Sequence, residues 1–105
     1  MTPSRFEELQ KFVEQDPTDP FNHYVIALEY GRSEQYPEAI QAFIDLIQFD
    51  PTYVPAYHQL ALLYIRLTRR QDARAMLERG LQAAALVGDT HARDEMQEAI
   101  DTLDE

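Results

Sequence analysis

Residues 16–32 read DPTDPFNHYVIALEYGR and residues 50–66 read DPTYVPAYHQLALLYIR, so the second stretch begins 34 residues after the first. At that offset Asp16-Pro17-Thr18 falls on Asp50-Pro51-Thr52, Ile26 on Leu60, Ala27 on Ala61 and Tyr30 on Tyr64. The register persists downstream, with Ala39 on Ala73 and Phe43 on Leu77. A fixed period of this length marks a chain that stacks one supersecondary unit on copies of itself.

Each period carries helical patterning. From Pro20 to Arg32 the apolar residues Phe21, Tyr24, Ile26, Ala27, Leu28 and Tyr30 cover most of a helix. Asp19 is a good N-cap there, and Pro20 suits the first helical position, where its missing N–H has no intrahelical partner to lose. From Pro37 to Phe49, Ala39, Ile40, Phe43, Ile44 and Ile47 keep the spacing of one buried stripe. Asp50-Pro51 then stops the helix, because proline restricts the residue before it and cannot donate to the ladder. The second period predicts helices over 55–67 and 71–86, so each unit is a helix hairpin.

The pattern resembles the tetratricopeptide repeat family, whose unit is a pair of antiparallel helices with this period. The positions where that family places a large aromatic, a leucine-like residue, a small residue, an aromatic, an alanine, a large apolar residue and a proline are His23, Ile26, Ala27, Tyr30, Ala39, Phe43 and Pro51 in repeat one, residues 20–53. In repeat two, residues 54–87, they are Tyr57, Leu60, Ala61, Tyr64, Ala73, Leu77 and Ala85. His23 departs from the usual tryptophan and Ala85 from the usual proline.

The flanks complete the stack. Leu9 and Phe12 lie one period before Phe43 and Leu46, so a helix over 4–15, opened by the capping pair Ser4 and Glu7, resembles the second half of a preceding repeat. One period after repeat two, acidic residues occupy core positions. A one-residue shift recovers an apolar stripe of Ala92, Met96, Ala99, Ile100 and Leu103 behind the break Val87-Gly88-Asp89, with Arg93, Asp94, Glu98 and Asp101 outside. Residues 89–104 therefore read as a solubilising cap. The expected fold is all-α, a right-handed α-α superhelix of six helices in one domain of 105 residues: a flanking helix in 1–17, two repeats and the C-terminal capping helix.

Composition narrows the function. Nine basic against nineteen acidic residues give a formal charge of −10, which disfavours general binding to nucleic-acid phosphates. Such an acidic surface suits high ionic strength, where repulsion is screened. The exception is residues 66–79, where Arg66, Arg69, Arg70, Arg74 and Arg79 face only Asp72 and Glu78, a local +3 that leaves −13 for the rest. There is no cysteine, which excludes disulfides, thiolate metal sites and cysteine nucleophiles. No apolar run reaches membrane-spanning length and no apolar leader stands at the N-terminus, so a cytoplasmic protein with no membrane partner is expected.

No catalytic constellation stands out. His23, His58 and His91 are never four residues apart on one helix, so none forms a helical metal pair. His23 occupies a packing position, Ser4 and Ser33 read as helix caps, and no glycine-rich phosphate loop is present. The expectation is a non-enzyme with no cofactor and no metal, leaving a small enzyme or enzyme subunit without a site.

The resemblance implies a concave groove made by the first helix of each repeat. In repeat one it would present Phe21, Tyr24, Val25, Leu28, Gly31 and Arg32, and in repeat two Pro55, His58, Gln59, Leu62, Ile65 and Arg66. The implied partner is a protein or peptide, including one with an acidic end that Arg69 and Arg70 would steer and Arg32 or Arg66 would hold. The competing covers are the C-terminal helix itself or a second copy of the chain, a homo-oligomer. Arg32 can pair with Glu29 one turn earlier, whereas Arg66 has no acid three or four residues away. Members of the family that hold chaperone C-termini use lysines and asparagines where this chain has Tyr24, Leu28 and Gln59, so that clamp is absent.

Overall fold

A computed structural model describes residues 4–105. Among them are six α-helices: α1 (Arg5–Gln15), α2 (Pro20–Arg32), α3 (Tyr36–Phe49), α4 (Val54–Arg66), α5 (Arg70–Val87) and α6 (Thr90–Leu103). The all-α helix hairpins expected from the period are present, each helix within a residue or two of its anticipated limits. The chain divides into two compact units, Met1–Asp50 and Pro51–Glu105.

In the first unit α1 packs on α2 and α2 on α3. The Ser4 hydroxyl accepts from the Glu7 amide at 3.2 Å and Asp19 Oδ1 from the Phe21 amide at 3.0 Å, which satisfies donors the helix ladder leaves open. Leu9, Ala27, Ala39, Phe43, Leu46 and Ile47 are buried. The Phe6 and Tyr30 rings join α1 to α2 at 4.6 Å, and Tyr24 meets Phe43 edge-on at 6.2 Å. Phe12, in the register of buried Leu46, is 54% exposed. Ser33 does not open α3: it is the C-cap of α2, and its amide donates to the Glu29 carbonyl at 3.0 Å.

In the second unit α4 packs on α5, α5 on α6, and α6 also touches α4. Helix α4 buries Val54, Ala56, Tyr57, Leu60, Ala61, Leu63 and Tyr64, answered by Ala73, Leu77 and Ala84 of α5 and Met96 and Ile100 of α6. Gly88 ends α5 at φ +72°, a left-handed turn that glycine adopts without a Cβ penalty, and Asp89 caps α6 through the Ala92 amide at 3.0 Å.

The period extends into backbone detail. Asp16 and Asp50 end α1 and α3 with near-identical angles, φ −144° and −138°, each donating its amide to the carbonyl four residues back. The turns α2–α3 and α4–α5 each hold one residue in the left-handed region, Glu34 at φ 62° and Thr68 at φ 59°, and close with amide bonds from Gln35 to the Tyr30 carbonyl and from Arg69 to the Tyr64 carbonyl. Glu34 and Thr68 are themselves one period apart.

Candidate functional site

On α2, residues 21, 24, 25, 28, 31 and 32 form one stripe by their i, i+3, i+4, i+7 spacing. Phe21 is 55% and Leu28 36% exposed, with Tyr24, Val25 and Gly31 half-buried between them. Arg32 at the end of the stripe is held from within: its Nε donates to Glu29 Oε2 at 2.9 Å and its Nη2 to Oε1 at 2.5 Å. Glu29 is itself buried and also approached by Arg5 Nε at 3.8 Å. The Arg32 hydrogen bond holds the Glu29 carboxyl below the usual glutamate range, against the opposing effect of burial. Arg32 therefore helps satisfy a buried carboxylate, a role that leaves only its outward edge for a ligand.

The stripe on α4 is Pro55, His58, Gln59, Leu62, Ile65 and Arg66. Leu62 is 43% exposed, Pro55 and Arg66 are exposed, and His58, Gln59 and Ile65 are half-buried. His58 Nδ1 lies 3.8 Å from Glu95 Oε2, and the other oxygen of Glu95 contacts His91 Nε2 one turn earlier on α6. Helix α6 reaches α4 at this point and is otherwise seated on α5, which leaves Leu62 open.

The basic turn is largely engaged by its own unit. Arg69 donates to Asp72 at 2.8 Å and lies 4.6 Å over the Tyr64 ring. Arg70 donates to the Leu103 carbonyl and caps α6, while Arg74 pairs with Asp104 and, at 3.1 Å, with Glu78. Asp104 pushes the Arg74 guanidinium up from its ordinary value. Arg79 lies 5.6 Å over the Tyr57 ring. Sequence separations of three or four residues could reveal Arg69–Asp72, but not the contacts from α5 to the end of α6.

His23 occupies the packing position expected for it. Its Nε2 lies 2.8 Å from the Pro17 carbonyl, so that nitrogen carries the proton, and its ring meets Phe49 at 5.6 Å. One period later the Tyr57 hydroxyl donates to the Pro51 carbonyl at 2.7 Å. Both aromatics tie the start of a repeat to the Asp-Pro turn before it. Among the described residues no group of three His, Asp or Glu side chains is arranged to hold a metal ion, and no helix is long and apolar enough to cross a membrane.

These features define a repeat protein made of helix hairpins. The sequence profile of the tetratricopeptide repeat family matches residues 32–92, more than half of the chain, and the protein belongs to that family. A tetratricopeptide repeat domain protein from Salinibacter ruber is 34% identical, with 84% of this chain and 89% of that one covered and a TM-score of 0.79. A protein from Bordetella parapertussis is 26% identical over 97% of this chain and 89% of its own, with a TM-score of 0.81. The TPR2B domain of yeast Sti1, solved in complex with pHsp70, shares the fold at 20% identity, with coverage of 94% and 79% and a TM-score of 0.83. No curated protein matches the chain by sequence.

Proposed function

We propose that this protein is a non-catalytic interaction module that takes a peptide or protein segment on the first-helix faces of its repeats. The observation that carries this reading is the recurrence of exposed apolar residues at the same register of each repeat's first helix: Phe21 and Leu28 on α2, and Leu62 on α4. Large apolar side chains in that register have a packing alternative in water only if something covers them. The complex of the Sti1 domain with pHsp70 supports peptide binding as a use of this fold. The chemistry here differs, because Tyr24, Leu28 and Gln59 stand where lysines and asparagines would grip a carboxylate. Apolar anchors therefore dominate, with Arg32 and Arg66 at the stripe ends as secondary contacts for an acidic residue.

The double variant Leu62→Asp with Arg66→Glu should abolish capture of partners recovered from the native lysate while circular dichroism stays unchanged. Undiminished capture would move the site off this face. Self-association is the second reading, since the same apolar stripe could cover a copy of itself. Sedimentation over a range of concentration separates the two: a monomer at high concentration removes self-association and leaves the partner.

A further inference from the structure

The first unit contains a cavity of about 360 Å³ lined by Pro17, His23, Ile26, Asp45, Leu46 and Phe49, away from the apolar stripe of α2. That volume lies within the range of small-ligand sites. Its walls are apolar and aromatic, with Phe49 53% exposed and the His23 ring 5.6 Å from it, and the acidic side chain in its lining is Asp45. Gln41 donates to one oxygen of Asp45 at 2.8 Å, and a carboxylate has acceptor capacity beyond that single bond.

The second repeat shows what fills the same place. One period after His23 and Asp45 stand Tyr57 and Arg79, and the Arg79 guanidinium lies over the Tyr57 ring at 5.6 Å. In repeat one the smaller imidazole replaces the phenol ring, and a carboxylate replaces the cation that would lie over it. The geometry points to a binding site for a partner's arginine side chain: the guanidinium is supplied in trans where repeat two supplies its own, lying against His23 and Phe49 and donating to Asp45. Charge favours such an occupant, since residues 4–50 carry Arg5, Lys11 and Arg32 against ten carboxylates, a formal −7. Arginine suits it better than lysine, because a planar guanidinium can stack on a ring while pairing with a carboxylate. This site is separate from the first-helix stripe and does not depend on it.

The test titrates the isotope-labelled full chain with Nα-acetyl-arginine amide and follows backbone amide shifts, with Nα-acetyl-glutamine amide as the uncharged control. Saturable shifts should centre on Asp45, Phe49 and His23. Asp45→Asn should weaken the arginine probe about fivefold, the scale of an exposed ion pair. Asp45→Arg, which installs the chain's own cation as in repeat two, should abolish the site. Glu38→Gln, on the same helix but outside the cavity, should change nothing. Shifts spread across the acidic surface, equal losses in Glu38→Gln and Asp45→Asn, or no saturation with the arginine probe would each overturn the proposal.

Discussion

At the aromatic position of the leading helix, repeat one has His23 and repeat two has Tyr57, and the two neighbourhoods diverge from there. Both side chains reach the carbonyl of the proline six residues earlier, at 2.8 Å and 2.7 Å. Around Tyr57, which is 4% exposed, repeat two closes up: Arg79 covers the ring, and Gly80 lets Met96 of α6 approach. Around His23, Leu46 stands where repeat two has Gly80, Asp45 stands where it has Arg79, and a cavity remains. One hydrogen bond is thus kept by two different rings, while the packing around it is free to change. The turn geometry is the invariant of the period and the filling is local.

The largest effect should come from making repeat two resemble repeat one at Gly80. A Cβ there would lie 2.9 Å from Tyr57 Cβ and 2.5 Å from Met96 Sδ. Methionine can swing aside, but the Tyr57 Cβ is fixed to the α4 backbone, so Gly80→Leu should cost about 3 kcal/mol by overpacking. Gly80→Ala should cost less, because it adds only the Cβ, and the helix propensity gained over glycine, about 1 kcal/mol, offsets part of that crowding. Urea denaturation checks both, and a midpoint unchanged in Gly80→Leu would show that α6 is not held closely on α4 and α5 at this point.

Next in size is the proline-carbonyl bond. Tyr57→Phe keeps the ring and removes the hydroxyl, leaving the Pro51 carbonyl without it, for a loss of about 1 kcal/mol. In repeat one the informative change is the reverse graft: His23→Tyr should retain the bond to Pro17, fill part of the cavity and raise the melting temperature. If Tyr57→Phe is neutral, water replaces the phenol at no cost and the shared bond is not a stabilising feature of the period.

The sequence made the hairpins legible because each helix combines a buried stripe with a chemical stop. Asp-Pro ends α1 and α3, Asp19-Pro20 opens α2, and Gly88 ends α5. Other features depended on distance along the chain. Glu29 reads from spacing only as a partner for Arg32, yet in the fold it is buried and Arg5 of α1 also approaches it. Residues 66–79 read as a surplus of positive charge, yet Arg70 and Arg74 are met by Leu103 and Asp104 about thirty residues further on. No local spacing rule connects such groups. The family register places Phe21, Leu28 and Leu62 on one face of their helices but leaves open whether the chain's own helices cover them; their exposure, like the cavity at His23, follows from how several helices pack.

The α2–α3 and α4–α5 turns offer the finest comparison. Each needs one left-handed residue to bring the next amide back to the tyrosine carbonyl, and neither uses glycine: Glu34 stands at φ 62° and Thr68 at φ 59°. For an L-residue that conformation costs about 1–2 kcal/mol, and a β-branched side chain is the less comfortable of the two there. Glycine removes the steric cost but loses more chain entropy on folding, which returns part of the gain. Thr68→Gly should therefore stabilise by about 0.5–1 kcal/mol, and Glu34→Gly by less. In a domain of this size 1 kcal/mol corresponds to about 4–8 °C in melting temperature, so calorimetry resolves the expected order. A larger gain at Glu34 than at Thr68 would mean that the Thr68 hydroxyl, 2.6 Å from the Leu67 carbonyl, offsets its backbone strain, and that side-chain bonding rather than branching sets the cost of this turn.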